Sequence, residues 1–223
     1  MKPPVVILFA DRHYGAAPGR AQAELLRPLC EVHYIEEDYA ALIAALAAHP
    51  EATLAFNSIA GTPGNPAPAP ELEAPLQAHL AAGRPLWILH GGSAACWPWA
   101  WWRQLMPLRW VRNGDPDQMP VSTHPIVPLH LVATPAALAS IPNIPAITDL
   151  PTDELYIKLA AQHPFETWLT INYEGVDYPQ ACSASSAWGG AIHCFLPGHS
   201  AEALGHPAYA ALFTALARKW LAA

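Results

Sequence analysis

The sequence predicts an α/β fold with a mostly parallel central sheet. Short apolar runs without polar alternation recur through the first ninety residues, helix-forming segments separate them, and glycine or proline stands near their ends. Strands that are apolar on both faces and alternate with helices are typical of parallel sheets covered by helices on both sides. The chain has 223 residues, is 52% hydrophobic and contains no internal repeat, so we expect one domain spanning residues 1–223.

The first half of the chain alternates strands and helices in order. Apolar runs of strand length occupy residues 5–10, 31–36, 52–57 and 84–90. Helix-forming segments occupy residues 19–29, 38–49 and 71–83. Asp38 is placed to cap the second helix and Gly83 to end the third. The proline- and glycine-rich stretch 59–70 follows the third strand, and long loops at this end of a strand often carry function.

The pattern after residue 102 favours antiparallel structure. Four segments, 109–113, 120–125, 130–135 and 154–159, have the composition of short strands. A hairpin that turns at Gly189-Gly190 is expected over 182–197, and a two-residue turn would place Cys194 opposite Ser185. The last helix is expected over 206–223, and its basic residues stand near its end, as the helix dipole favours.

Composition and charge exclude several classes of partner. The formal net charge is -7 and the chain has no basic run, which argues against a nucleic-acid partner. The apolar run 39–48 is about half of the ~20 residues that a membrane span needs, and the run at 5–10 is too short for a signal-peptide core. We therefore expect no membrane partner and a cytoplasmic location. The four cysteines lack CxxC spacing and are expected to be free buried thiols.

Polar groups stand where the apolar strands end. In an open α/β sheet, ligands bind beyond the carboxyl ends of the strands. The first strand ends at Asp11, the third at Asn57 and the fourth at His90, while His199 follows the hairpin. These groups converge if the strands are neighbours, so we expect a pocket at this edge of the sheet.

The sequence His90-Gly91-Gly92-Ser93 predicts a tight turn from a strand into a helix, similar to a nucleophile elbow. Because a helix amino terminus disfavours a cation, we expect His90 to be neutral and able to act as a base, a hydrogen-bond partner or a metal ligand. A structural histidine that fixes the turn is the alternative.

Two adjacent carboxylates, Asp153 and Glu154, precede a short apolar segment. Neighbouring side chains on an extended segment point to opposite sides, so one of the pair should face the pocket. A carboxylate beside a histidine would set its tautomer and serve acid–base chemistry. The residues expected to be catalytic are His90, Asp153, Glu154 and His199. The residues expected to bind substrate are Asp11, Asn57, Gly91, Gly92, Ser93, His124 and Tyr156.

The sequence requires no cofactor and assigns no metal ligands. His90, His124, His199 and Glu154 are nevertheless ligand types that suit zinc or another borderline cation, so a divalent metal stays open as an alternative. Four tryptophans within residues 97–102 cannot all point into one core from one helix. We expect some of them to form a packed structural cluster, a pocket wall or a subunit contact, and exposed aromatics would allow a homodimer.

The chain resembles the ThuA-like (trehalose-utilisation) proteins of the class I glutamine amidotransferase-like superfamily. The matching stretches, in order, are "AAGRPLWILHGGSAA", "THPIV", "LPTDELY", "GGAIHCFLPGHS" and "HPAYAALFTALARKWLA". The resemblance implies a flavodoxin-like three-layer α/β/α fold with some antiparallel hairpin additions. It also implies a role in carbohydrate metabolism, acting on a sugar or keto-sugar derivative, and a pocket built from His90, His124, Asp153, Glu154 and His199.

One departure from the superfamily concerns the nucleophile. Amidotransferases have a cysteine at the elbow, whereas this chain has His90 there and its nearest thiol is Cys96. Glutamine hydrolysis through a thiolate is therefore not expected. An enzyme that uses histidine and carboxylate chemistry on a carbohydrate ligand is favoured, a non-catalytic sugar- or anion-binding module is the alternative, and a working amidotransferase is the least favoured function.

Overall fold

The computed structural model of the protein describes residues 3–13, 15, 17–61, 68 and 70–222. Much of the loop predicted over 59–70, namely 62–67 and 69, lies outside the described residues. The first half has the alternating elements that the sequence predicts. Its strands are β1 (Val5–Ala10), β2 (Glu31–Glu36), β3 (Thr53–Asn57) and β4 (Leu86–Leu89). Its helices are α1 (Ala17–Leu26), α2 (Tyr39–Ala48) and α3 (Pro70–Ala81).

The second half is richer in strands. Its helices are α4 (Ala100–Leu105), α5 (Pro135–Ser140), α6 (Ala201–Gly205) and α7 (Pro207–Leu221). Its strands are β5 (Leu108–Arg109), β6 (Ile126–Ala133), β7 (Ile147–Glu154), β8 (Ala160–Ala161), β9 (Glu166–Tyr173), β10 (Val176–Ser185) and β11 (Ala191–Phe195). Among the described residues, no helix combines the length and the apolar character that crossing a membrane requires.

One sheet unites both halves of the described chain. Its nine strands follow the order β2-β1-β3-β4-β11-β10-β9-β6-β7, and β5 and β8 form a separate pair. The strands from β2 to β11 are parallel, and each pair from β11 to β7 is antiparallel. The predicted α/β class is confirmed. Strand β11 belongs to both parts, since it is parallel to β4 and antiparallel to β10. Among the described strands, five therefore form the parallel part and five the antiparallel part, with β11 counted in each.

Helices cover the parallel part of the sheet on both faces. Residues of α1, α5, α6 and α7 share a buried apolar cluster with Val6, Leu8 and Trp87 on one face. Residues of α2, α3 and α4 share a second cluster with Ile7, Phe9 and Phe56 on the other face. This burial on both faces explains why the early strands lack polar alternation.

The predicted two-residue turn between β10 and β11 is wrong. Ser185 pairs with Ala191, so five residues connect the strands, and Cys194 lies opposite Cys182. The side chain of Ser186 lengthens the loop, because its hydroxyl oxygen accepts hydrogen bonds from the N–H groups of Trp188 and Gly190. The cysteines are nevertheless buried free thiols, as predicted.

An irregularity in β7 changes which of its side chains face inward. Pro128 of β6 lies opposite Thr152, but the next residue, Leu129, lies opposite Leu150, so Pro151 is left without a partner in the register. An unpaired extra residue of this kind is a β-bulge, and it shifts the alternation of side chains by one position. Leu150 and Asp153 are therefore both buried, although three positions separate them.

Candidate functional site

The site begins where β4 ends. The chain passes from Leu89 into a single 3₁₀ turn, His90–Ala94, and every residue of this turn is buried. His90 has a left-handed φ of 39°, which is uncommon for a residue other than glycine and is typical of strained functional turns. A Cβ added at Gly92 would lie 2.2 Å from the carbonyl oxygen of Phe56. Only glycine therefore allows the turn to pack against the end of β3.

The backbone of the neighbouring strand fixes the His90 ring. The Nδ1 atom of His90 lies 2.7 Å from the carbonyl oxygen of Leu196, just after β11. Because a carbonyl oxygen can only accept, Nδ1 carries the proton and donates it. In the neutral ring, Nε2 is then the nitrogen with the lone pair, and the hydroxyl of Tyr156 lies 3.3 Å from it.

The carboxylate of Glu154 is the centre of the site. Its Oε2 atom lies 3.5 Å from Nε2 of His90 and 3.3 Å from Nδ1 of His199, and its Oε1 atom lies 3.4 Å from Nδ1 of His124. The Glu154 side chain is 13% exposed, so most of it is removed from water. Three histidines predicted from separate parts of the sequence therefore meet at one carboxylate.

The groups at this centre change one another's pKa. Burial acts to raise the pKa of Glu154, but its contacts with His199 and His90 outweigh burial and hold that pKa well below the usual range. The contact with Glu154 also raises the pKa of His199 above its ordinary value, against the effect of burial. The favoured state of this pair is a carboxylate beside a protonated imidazole.

Asp153 faces away from Glu154 and positions the segment that carries His199. Its two carboxylate oxygens accept hydrogen bonds from the backbone N–H groups of Gly198, His199 and Ser200, at 2.9, 3.1 and 2.8 Å. The side chain is buried and does not line the cluster around Glu154. Of the two carboxylates expected to be catalytic, Glu154 is thus in the site and Asp153 supports it.

Aromatic rings form one wall of the site. The ring of Tyr156 lies 4.6 Å from that of His90 and 4.7 Å from that of Trp110. Trp110 also lies 5.2 Å from His124, and both residues line a cavity of about 480 Å³ beside the cluster. Trp110 was not predicted from the sequence; it reaches the site because its backbone N–H donates to the carbonyl oxygen of Ser93.

Several residues expected to bind substrate make contacts within the protein. Asp11 accepts hydrogen bonds from the hydroxyl of Ser58 and the N–H of Ile59. Asn57 donates to Gln22, which donates to the hydroxyl of Tyr209. Gly91, Gly92 and Ser93 are buried within the turn. His124 and Tyr156 are the two members of the predicted binding set that line the cluster directly.

The tyrosine at position 209 links this network to the site. Its hydroxyl oxygen would lie 2.7 Å from a Cβ added at Gly198, whose φ is +113°. A side chain at position 198 would displace Tyr209 or move His199. Gly198 stands out in the sequence, whereas its packing against Tyr209 depends on the fold.

The tryptophan cluster is largely structural. Trp102 is fully buried 5.2 Å from Phe56, and Trp99 is buried and stacks on Trp101. The half-buried Trp101 donates its indole N–H to Glu73 and lines a separate cavity of about 560 Å³, which none of the four predicted catalytic residues lines. The tryptophans therefore support the α3–α4 side of the sheet rather than the pocket at His90.

The cysteine nearest the elbow lacks the environment of a nucleophile. Cys96 is fully buried, and burial raises the pKa of its thiol well above the ordinary value. A nucleophilic cysteine needs an accessible thiolate, which a positive neighbour or a helix terminus normally stabilises. The histidine and carboxylate groups are therefore the chemistry that this elbow presents.

Solved structures with this fold include two ThuA-like proteins. The one from Parabacteroides merdae has a TM-score of 0.72 and 12% identity over 96% of this chain and 88% of its own. The one from Bacteroides uniformis has a TM-score of 0.71 and 12% identity over 99% and 93%. A cytoplasmic protein from Salmonella typhimurium has a TM-score of 0.62 and 12% identity over 96% and 97%.

These likenesses define the class of protein by its fold. The resemblance to ThuA-like proteins expected from the sequence is confirmed for the architecture across nearly the whole chain. No family model matches the chain, and no curated protein matches it. At 12% identity the shared fold does not transfer an activity, because one fold can carry many functions.

Proposed function

We propose that this protein acts in carbohydrate metabolism, on a sugar or keto-sugar derivative, by acid–base chemistry of histidine and carboxylate groups. One observation carries the proposal: Glu154 is a mostly buried carboxylate that three histidines contact within 3.5 Å. Groups of complementary protonation held together at the edge of a pocket are typical of general acid–base sites. The keto-sugar substrate class comes from the resemblance to ThuA-like proteins.

The arrangement suits proton transfer next to a carbonyl group. Glu154 supplies a fixed negative charge, and His199 supplies a proton that Glu154 helps it to hold. The Nδ1 atom of His90 is engaged with the carbonyl oxygen of Leu196, so Nε2 is the ring nitrogen that can contact a substrate hydroxyl. The rings of Trp110 and Tyr156 provide the flat apolar surface on which sugar rings commonly stack.

The test is hydrogen exchange at the carbon beside the ketone of a keto-disaccharide. The protein is incubated with the sugar in D₂O, and proton NMR measures the loss of the signal from the hydrogen on that carbon. Glu154→Gln and His199→Gln are each expected to slow exchange by at least about 100-fold, because a general acid or base typically contributes 10²–10⁴. His130→Gln is the control, since His130 pairs with Asp149 on the exposed surface of β6 and β7.

Two results would count against the proposal. Exchange that proceeds equally in the Glu154→Gln and wild-type proteins would overturn the role of this site. Tight binding of the sugar by calorimetry without exchange or product would instead select the non-catalytic binding module. That alternative is consistent with the absence of a cysteine at the elbow.

The remaining parts of the proposal concern surroundings and partners. We place the protein in the cytoplasm, where a reducing environment keeps buried cysteines free, as they are here. A small carbohydrate is its proposed ligand. A homodimer remains part of the proposal, although the tryptophans that suggested it are buried or half-buried, and light scattering would measure the mass directly.

A further inference from the structure

We infer that His90, Glu154 and His199 bind one divalent transition-metal ion, through Nε2, Oε2 and Nδ1 respectively. These three atoms all lie within 4.8 Å of one another. The inference concerns the same site as the proposed function and rests on it for the substrate. The geometry of the ligand atoms carries it independently of any sugar.

The distances fit coordination better than direct hydrogen bonding. Oε2 of Glu154 lies 3.5 Å from Nε2 of His90 and 3.3 Å from Nδ1 of His199. Good N–H···O hydrogen bonds are about 2.7–3.2 Å long. Metal bonds of about 2.0–2.2 Å in a tetrahedral arrangement hold ligand atoms about 3.4 Å apart. The two separations from Oε2 of Glu154 match an ion between the atoms, and the two histidine nitrogens lie within 4.8 Å of each other.

The surroundings of His90 match those of a metal ligand. A histidine that binds a metal through one nitrogen normally donates its other N–H to a carbonyl or carboxylate, which fixes the tautomer and the ring. His90 donates from Nδ1 to the carbonyl oxygen of Leu196 at 2.7 Å, and Nε2 faces Glu154. The left-handed turn at His90 thus presents the correct nitrogen.

The other two ligands are also held in place from outside. The backbone N–H of His199 donates to buried Asp153, and the second oxygen of Glu154 lies within ion-pair range of Nδ1 of His124, at 3.4 Å. In β7, Glu154 is therefore one ligand, and its neighbour Asp153 holds the backbone of a second ligand, His199. Preorganised ligands of this kind lose little entropy when a metal binds.

The ligand set indicates the kind of ion. Two imidazoles and one carboxylate suit divalent transition metals such as Zn²⁺ or Fe²⁺, and the harder Mn²⁺ through the carboxylate, rather than Ca²⁺, which prefers oxygen ligands alone. Three protein ligands leave a position for a water molecule or a substrate oxygen, as in catalytic metal sites. An ion there would polarise the oxygen of a bound keto-sugar. Glu154 and His199 would then act as ligands, and His124 and Tyr156 would take over the proton transfers.

A second group of the same composition provides a control. Glu31, His33 and His49 lie near one another on β2 and after α2. Nε2 of His33 is already 2.9 Å from Oε1 of Glu31, a direct hydrogen-bond distance, and both side chains are more than a third exposed. Adventitious binding to surface histidines should depend on this group and not on Glu154.

The test uses the full chain after treatment with a chelator and dialysis at pH 7, titrated separately with Zn²⁺ and Mn²⁺ in a calorimeter. Wild type and His33→Ala should bind one equivalent of at least one ion with the same affinity. Glu154→Gln and His199→Ala should weaken binding by more than about 100-fold, beyond the 10–100-fold typical of residues that only orient the ligands. Circular dichroism confirms that each variant is folded.

Several outcomes separate this inference from the proposed function. Failure of folded wild type to bind either ion, or binding that survives Glu154→Gln but not His33→Ala, would overturn the metal site. Metal binding without hydrogen exchange in any keto-sugar would leave the metal site standing and overturn the proposed chemistry. Exchange at full rate in protein that binds neither ion would overturn the metal site and leave the proposed chemistry standing.

Discussion

Gly92 lies where the elbow turn packs against the end of β3, and a single atom decides whether this packing is allowed. The position of a Cβ at residue 92 would be 2.2 Å from the carbonyl oxygen of Phe56, a backbone atom that cannot rotate away. The neighbouring His90 has its ring fixed by the carbonyl oxygen of Leu196. A change at Gly92 would therefore disturb both the core and the orientation of the site histidine.

Gly92→Ala is expected to lower the free energy of unfolding by about 3 kcal/mol, the upper part of the range for overpacking in a core. Urea denaturation followed by tryptophan fluorescence measures it. Gly205→Ala is the matched control, since a Cβ there meets nothing within 4 Å and glycine in a helix costs about 0.5–1 kcal/mol relative to alanine. Equal stability of the two variants would contradict the close approach described here.

At the scale of elements, β7 connects the site to the segment that follows β11. Asp153 holds three successive backbone N–H groups, at residues 198–200, with both of its oxygens. These contacts place Ser200 at the start of α6, where its hydroxyl oxygen accepts from the N–H of Ala203. The position of His199 is thus fixed by its backbone as well as by its side chain.

Asp153→Asn is expected to reduce the free energy of unfolding by about 2 kcal/mol. An amide has one accepting oxygen instead of two, and its NH₂ group would face a backbone N–H that is left without an acceptor. Asp149→Asn, an exposed change on the same strand, should alter stability by less than about 0.5 kcal/mol. Chemical denaturation compares the two, and an equally small effect at both positions would contradict the anchoring role of Asp153.

At the scale of the whole molecule, His193 makes folding stability depend on pH. It is buried in β11, stacks on Trp220 and contacts the hydroxyl of Ser183. Burial, together with the charge of Lys219, lowers the pKa of His193 from 6.5 to about 3. Between about pH 3 and pH 6.5, the unfolded chain binds a proton at His193 that the folded protein does not. The stability that neutral His193 contributes is therefore complete above pH 6.5 and is lost as pH falls toward about 3.

His193→Phe keeps an aromatic ring at this position but removes the group that titrates. Between about pH 6 and pH 4, the stability of wild type relative to this variant is expected to fall by about 1.4 kcal/mol per pH unit. Urea denaturation at several pH values measures the difference. The hydroxyl of Ser183 loses its contact with the ring at every pH, so this loss adds only a constant offset. A difference that does not change with pH would show that His193 is not buried as a neutral ring.

The parallel part of the fold could be predicted because its signals are local. The runs that form β1–β4 are apolar, short and separated by helices, so each could be recognised without knowing its partner. In the antiparallel part, consecutive strands pair as neighbours, but the pairing that joins β6 to β9 links segments that are not consecutive. Ala133 of β6 pairs with Leu169 of β9, for example, and nothing in either segment specifies the other. The loop before β11 was misjudged because the side chain of Ser186 forms the turn.

The residues of the candidate site also divide into those with a local sequence signal and those whose place depends on the fold. His90, Glu154 and His199 were predicted because they follow apolar strands or match the ThuA-like pattern, and the fold brings them together. Trp110 was missed because its place in the wall depends on a backbone hydrogen bond to Ser93. Asn57 was predicted to bind substrate because it ends a strand, and nothing in the sequence indicates that its amide donates to Gln22.

The bulge at Pro151 has a consequence for how this site could be gained or lost. It sets the phase of β7, so that Asp153 faces the interior and Glu154 faces the histidines. If the same residues paired without the bulge, with Pro151 taking a place in the register, the two carboxylates would exchange faces, presenting the shorter side chain to the histidines and burying the longer one. The same amino acids in the same order would then form a different site. The carboxylate that reaches the histidines is therefore determined by how β7 pairs with β6 as well as by the side chains that β7 carries.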